Sequence, residues 1–138
     1  MKRLFLHSIL AGVISALLGI TYFTIYQSIL DTRFDSIVNM GSIAGASFSG
    51  CLIISIPYAL ILRFKKQEWV GWLNILIMIL SFISILGPLN MTFPTEITGQ
   101  QLFPGLVVPT HFFPSLTFFS LSPFFLTKTK VTATNKVR

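Results

Sequence analysis

The chain has 138 residues, and only 10% of them are charged, whereas about 25% is usual for a soluble domain. Hydrophobic types make up 53%, so the chain lacks the polar groups that a soluble monomer needs to cover its surface. The shortage of charge also excludes a disordered protein, and the single Cys51 excludes an intrachain disulfide or a thiolate metal cluster. These quantities indicate an integral membrane protein.

Four uncharged runs are long enough to cross a bilayer, for which a helix needs about 20 mostly apolar residues. They predict transmembrane helices at about 4–30, 36–62, 69–88 and 105–126. Because short connections make neighbouring helices antiparallel, the predicted fold class is an all-α membrane protein with four transmembrane helices in an antiparallel bundle. The first run is longer than the core of a signal peptide, so we expect it to be retained as a helix. Residues 1–126 form the predicted transmembrane domain.

The basic residues predict an orientation. With the N-terminus inside, nine of the ten Lys and Arg residues fall on the inner side, and only Arg33 falls outside. Lys and Arg near helix ends stay preferentially in the cytoplasm, so both termini are predicted to be cytoplasmic. Residues 127–138 then form a basic cytoplasmic tail. The long connection at 89–104 lies at the outer face, where it caps the helices or contacts a ligand.

Small residues recur at regular spacing in the first two helices. Gly41, Gly45 and Ser49 follow one another at intervals of four, and Gly12 and Gly19 belong to similar rows in the first helix. Helices in lipid associate where small residues let their backbones approach closely, so these five residues are the predicted helix-packing interface. Two uses stay open: contact between the two helices of one chain, or contact of a small face of the second helix with another chain.

The fourth helix combines polar side chains with three prolines, which are Pro109, Pro114 and Pro123. Each proline lacks an amide hydrogen and leaves the carbonyl four residues earlier without its usual partner. Such carbonyls need another donor inside a membrane, and the nearby hydroxyls belong to Thr110, Ser115 and Ser122. We therefore expect a kinked helix with a polar stripe.

His111 is the best single functional candidate, because an ionisable side chain within a span is costly and usually faces the protein interior or a wet cavity. It either serves a ligand or a proton, or caps a freed carbonyl. Ser115 shares its helix face and Thr110 precedes it, while Asn74 and Ser81 form a polar line on the third helix that could meet them. These five residues are the candidate ligand or polar-path set.

Several chemistries are not supported by the sequence. His7 and His111 lie near opposite boundaries of the membrane, too far apart to share one haem iron. No predicted span holds a carboxylate, and no serine has a paired base and acid nearby in the sequence. We predict no catalytic residue, no cofactor and no metal. The basic residues are a topology signal and do not indicate nucleic-acid binding.

The segment VPTHFFP at residues 108–114 resembles the last span of small uncharacterised bacterial four-helix integral membrane proteins. We expect the bacterial plasma (inner) membrane as the location; the resemblance implies no activity. The leading hypothesis is a non-enzymatic accessory subunit or self-associating scaffold, whose partners are lipid and other membrane chains or copies of itself. The alternative is a small transporter or channel with a polar path near His111 opening to the outer face. A third reading, an enzyme acting on a lipid or quinone, has His111 and Glu96 to offer.

Overall fold

The computed structural model describes residues 2–91 and 99–126, and its regular structure there is entirely helical. The helices in chain order are α1 (Lys2–Leu30), α2 (Met40–Arg63), α3 (Val70–Ser84), α4 (Leu86–Leu89) and α5 (Phe103–Leu126). Single 3-10 turns at Gln67–Trp69 and Gln100–Leu102 lead into α3 and α5.

Four helical segments are long and apolar enough to cross a membrane: Lys2–Leu30, Met40–Arg63, Gln67–Leu89 and Gln100–Leu126. The prediction of an all-helical chain with four candidate spans is thereby confirmed. The last segment has the lowest mean hydropathy, 1.3, because it carries the prolines and hydroxyls. Glu96 and the basic tail at 127–138 lie outside the described residues.

The second helix begins at Met40, four residues later than the predicted start at 36. Asn39 has an extended backbone, and its side-chain oxygen accepts a hydrogen bond of 2.8 Å from the Ser42 amide. The Ser42 hydroxyl in turn accepts one of 3.0 Å from the Asn39 amide. This reciprocal capping box fixes the helix start. The uncharged residues at 36–38 belong to the connection, in which Phe34 is fully buried against Phe103.

The sequence predicts one continuous helix at about 69–88 for the third span, but the structure interrupts it. It starts with the 3-10 turn at Gln67–Trp69, and α3 ends at Ser84 before the single turn of α4. Pro88 lies four residues after Ser84 and has no amide hydrogen to give the Ser84 carbonyl, so regular α-helix bonding stops there.

The helices pack unevenly. α1 makes its most extensive contacts with α2 and α5, whereas α3 touches α2 and α5 much less. We call the end that holds residues 2–3 and 63–69 the Arg63 end, and the end that holds residues 30–40, 86–91 and 99–103 the Asp31 end. One buried cluster lies toward the Arg63 end and includes Ala11, Cys51, Tyr58 and Phe118. The other lies toward the Asp31 end and includes Phe23, Phe34, Ile43 and Leu106.

Candidate functional site

The glycines of α1 form its closest contacts with α2. A Cβ added to Gly12 would lie 2.8 Å from Cδ2 and 3.2 Å from Cα of Phe48. A Cβ added to Gly19 would lie 2.7 Å from Cγ2 of Ile43. Carbon atoms in contact rest about 3.5–4.0 Å apart, so neither position has room for a methyl group. Large side chains of α2 fill the notches that these glycines leave.

The other three residues of the predicted packing interface lie elsewhere. Gly41, Gly45 and Ser49 are exposed on α2, and no atom lies within 4 Å of a Cβ added to Gly45. α2 instead turns Ile43 and Ser47 toward α1, where both are buried. We call Gly41, Gly45 and Ser49 the small-residue face of α2. Within residues 2–91 and 99–126, a Cβ added to Gly41 or Gly45 meets no other helix, so this is not the face that packs α2 against α1.

Two of the carbonyls that the prolines free find hydroxyl donors. The Gly105 carbonyl, freed by Pro109, accepts a hydrogen bond of 2.7 Å from the Tyr22 hydroxyl of α1. The Phe119 carbonyl, freed by Pro123, accepts one of 2.8 Å from Ser122. Sequence reasoning found Ser122 because it lies three residues away. It missed Tyr22, because only the packing of α1 on α5 brings that hydroxyl to the kink.

A groove of about 710 Å³ lies between α2, α3 and α5. Its polar side chains are Ser42, Ser47, Ser81, Ser84, Thr110, His111 and Ser115. Toward the Arg63 end its lining is apolar, with Ile53, Ile54, Pro57, Leu73 and Leu76. The side of the groove is open, since Ile53 and Leu76 are 65% and 51% exposed. We call this space the α2–α3–α5 groove.

His111 reaches the groove in a defined protonation pattern. Its Nδ1 lies 2.9 Å from the Val107 carbonyl oxygen. A carbonyl only accepts hydrogen bonds, so this contact assigns the proton of the neutral ring to Nδ1. Nε2 is then left as a hydrogen-bond acceptor. His111 thus binds the Val107 carbonyl, which no proline frees, and still has one nitrogen available.

Four of the five candidate ligand or polar-path residues come together in the groove. Thr110, His111 and Ser115 enter it from α5, and Ser81 enters it from α3. The Ser81 and Ser115 hydroxyl oxygens lie 3.3 Å apart, so α3 and α5 approach each other closely here. The predicted meeting of the third-helix polar line with the His111 stripe therefore occurs through Ser81.

Asn74, the fifth candidate, is placed elsewhere. Its side-chain oxygen accepts a hydrogen bond from the buried hydroxyl of Tyr58, so it ties α3 to α2. The Tyr58 ring packs on Phe118 with 5.0 Å between ring centroids. Asn74 is not among the residues that line the groove.

His7 is fully buried, a position to which the sequence analysis assigned no role. Its Nε2 donates a hydrogen bond of 2.9 Å to the Phe118 carbonyl, and its ring lies 4.2 Å from the Phe118 ring and 5.3 Å from the Phe125 ring. Its Nδ1 has no partner in the described part of the chain. Across residues 2–91 and 99–126 no three His, Cys, Asp or Glu side chains cluster as a metal site would require.

No protein-family profile, no curated protein and no solved structure matches the chain. The resemblance of residues 108–114 to the last span of small bacterial four-helix membrane proteins therefore stays a prediction.

Proposed function

We propose that this protein is an integral membrane protein without enzymatic activity, which associates with another membrane chain or with a second copy through the small-residue face of α2. It acts as an accessory subunit or as a self-associating scaffold. The observation that carries the proposal is the exposure of Gly41, Gly45 and Ser49, next to the burial of Gly12 and Gly19.

The physics of helix association in lipid supports this use of the face. Leaving lipid tails for another apolar surface gives no hydrophobic gain, so association depends on van der Waals contact and interhelical hydrogen bonds. Small residues at i, i+4 and i+8 allow two backbones to come close over two turns. Gly45 has free space above it, and the Ser49 hydroxyl adds a hydrogen-bonding group at the end of the same row. The face matches a second helix better than it matches lipid chains.

We propose the bacterial plasma (inner) membrane as the location, with both termini in the cytoplasm. Basic residues support this orientation: Arg63 ends α2, and Lys65 and Lys66 follow it before α3, at the end where α1 begins with Lys2. The opposite end carries Arg33 between two aspartates. Cytoplasmic ends of membrane helices collect Lys and Arg. In a Cys51→Ala background, an impermeant maleimide added to intact cells should label Asp31→Cys and spare Lys66→Cys; the reverse pattern would invert the topology.

A small transporter or channel is the second candidate, and the polar groups of the groove around His111 favour it. These polar groups could line a path through only part of the membrane depth, because Ile53, Ile54 and Leu73 line the groove beyond them. The space between α1, α2 and α5 is filled by the fully buried Phe118. Reconstituted protein that passes ions or small polar solutes, with loss of flux in His111→Ala, would make this the better reading.

Self-association can be measured by energy transfer between donor-labelled and acceptor-labelled protein in liposomes at low protein-to-lipid ratio. Wild type should give transfer above that expected for random proximity. Gly45→Leu should lose it, because a bulky side chain on the face keeps the backbones apart. Gly71→Leu is the matched control: Gly71 is also exposed, helical and free of neighbours within 4 Å, but it lies on α3 outside the face.

The two forms of the proposal give different results. A scaffold shows transfer that Gly45→Leu removes and Gly71→Leu keeps. An accessory subunit shows no transfer, but a membrane partner co-purifies from native membranes with wild type and Gly71→Leu and is lost with Gly45→Leu. A wild-type protein that is monomeric and brings down no membrane chain contradicts both forms.

A further inference from the structure

We propose that the α2–α3–α5 groove is a binding site for a single-chain amphiphile whose head group is a hydroxyl, such as a long-chain alcohol. Its chain lies along the apolar part of the groove, and its hydroxyl donates a hydrogen bond to Nε2 of His111. This proposal is independent of the association proposed above, because it concerns a different face of α2.

The groove has the dimensions and polarity of such a ligand. Its volume of about 710 Å³ falls within the range of about 300–1,000 Å³ that is usual for small-molecule sites. From Ser42 to Pro57 it follows fifteen residue steps of α2, which is about 22 Å of helix. The part of the groove toward the Arg63 end is apolar, whereas the polar side chains are confined to the rest of it, where apolar side chains such as Val38 and Met91 also line it. An amphiphile therefore enters with its head toward the Asp31 end, and the open side admits it from the lipid.

Five of the six hydroxyl groups that line the groove donate their protons to backbone carbonyls. Thr110 donates to the Val107 carbonyl at 2.8 Å, and Ser115 donates to the Phe112 carbonyl at 3.0 Å. On α3, Ser81 donates to the Ile77 carbonyl at 2.9 Å and Ser84 to the Ser81 carbonyl at 2.8 Å. Ser42 is committed in the same way to the carbonyl of Asn39 at 2.7 Å. The sixth hydroxyl, that of Ser47, belongs to a buried side chain and faces Gly19 of α1.

These contacts leave hydrogen-bond acceptors available in the groove. His111 holds its proton on Nδ1 against the Val107 carbonyl, so Nε2 offers a lone pair. Pro114 has no amide hydrogen for the Thr110 carbonyl, and no side-chain donor within the described residues replaces it. A site that accepts and does not donate selects a ligand with a donor. Since no Asp, Glu, Lys or Arg of residues 2–91 and 99–126 lines the groove, a neutral hydroxyl is the donor that fits.

The test uses a photoreactive 1-hexadecanol with a diazirine in its chain and the full-length protein in nanodiscs of phosphatidylcholine, whose head group has no hydroxyl donor. Unlabelled 1-hexadecanol and hexadecyl methyl ether serve as competitors, because they share the chain and oxygen and differ in the donor proton. The alcohol should compete at about two- to tenfold lower concentration than the ether, which is the value of one net hydrogen bond. Labelled peptides should come from α2, α3 and α5.

Three variants separate the possible outcomes. In His111→Phe the ring stays but the acceptor is gone, so alcohol and ether should compete equally. Ala46→Phe fills the groove from an exposed lining position, so labelling should be lost even if the histidine variant fails to fold. Gly45→Leu, which blocks the proposed association, should leave labelling and preference unchanged. Equal competition in wild type, a preference that survives His111→Phe, or labelling that survives Ala46→Phe would each overturn the proposal.

Discussion

A single methyl group added to Gly12 tests whether α1 and α2 depend on close backbone approach. In Gly12→Ala the new Cβ would lie 2.8 Å from Cδ2 of Phe48 and 3.2 Å from its Cα. The first distance is shorter than a carbon–carbon contact of about 3.5 Å by about 0.7 Å. The phenyl ring can rotate away, but the Cα moves only if α2 moves. We expect the overpacking to cost about 1–3 kcal/mol in the free energy of unfolding, measured against an alanine substitution at an uncrowded helical glycine.

Gly45→Ala is the matched control for this change. Gly45 lies in α2, also in a row of small residues, but no atom lies within 4 Å of its added Cβ. Alanine is a better helix former than glycine by about 0.8–1.0 kcal/mol. The control should therefore be neutral or stabilise the monomer by up to about 1 kcal/mol.

The measurement is reversible unfolding in mixed micelles with a rising fraction of SDS, followed by circular dichroism. Protein concentration is kept low, so that self-association does not contribute to the result. If Gly12→Ala and Gly45→Ala lowered the free energy of unfolding equally, the loss would come from replacing a glycine and not from the contact with Phe48. A Gly12→Ala variant as stable as Gly45→Ala would show that α2 can shift away freely and that the close approach of the two helices does not stabilise the fold.

Two further predictions concern the contacts that α5 makes. Tyr22→Phe removes the donor of the Gly105 carbonyl and should cost about 1–3 kcal/mol, whereas in a Pro109→Ala background the new amide takes that carbonyl and the cost should fall. Cys51 is fully buried and its Sγ lies 3.5 Å from the carbonyl oxygen of Pro114, so a maleimide should label it only after unfolding.

The controls for these predictions are in the same chain. For Tyr22 the double-mutant cycle is decisive: equal costs in both backgrounds would mean that its hydroxyl does not replace the missing amide. For Cys51 the comparison is Gly71→Cys in a Cys51→Ala background, since position 71 is exposed and should react at once. Equal labelling rates at the two positions would contradict the buried packing of α2 against α5.

The number and composition of the four candidate spans could be predicted from the sequence. A bilayer-spanning helix requires a long run without charge, and the four runs in this chain are separated by charged or proline-rich segments. The helix boundaries could be predicted from the sequence less accurately. The start at Met40 depends on the capping box of Asn39 and Ser42, and the end at Ser84 depends on Pro88. Both signals are local, and a search for long uncharged runs does not detect them.

The partners of each side chain depended on the tertiary structure. Helical spacing placed Thr110, His111 and Ser115 close together on α5, because that relation is local. Whether Asn74 or Ser81 meets them depends on the rotation of α3 about its own axis relative to its neighbours. The spacing of residues along one helix does not determine that rotation. The structure turns Ser81 toward Ser115 and Asn74 toward Tyr58.

The sequence by itself determined where small residues recur, and the tertiary structure decided which of them are covered. Rows of small residues on α1 and α2 look alike in the sequence, yet Gly12 and Gly19 are buried while Gly45 is exposed. The physical reason is shape. Notches on one helix are filled best by large side chains on the other, and α2 supplies Phe48 and Ile43. Gly41, Gly45 and Ser49 are thereby left on a different face.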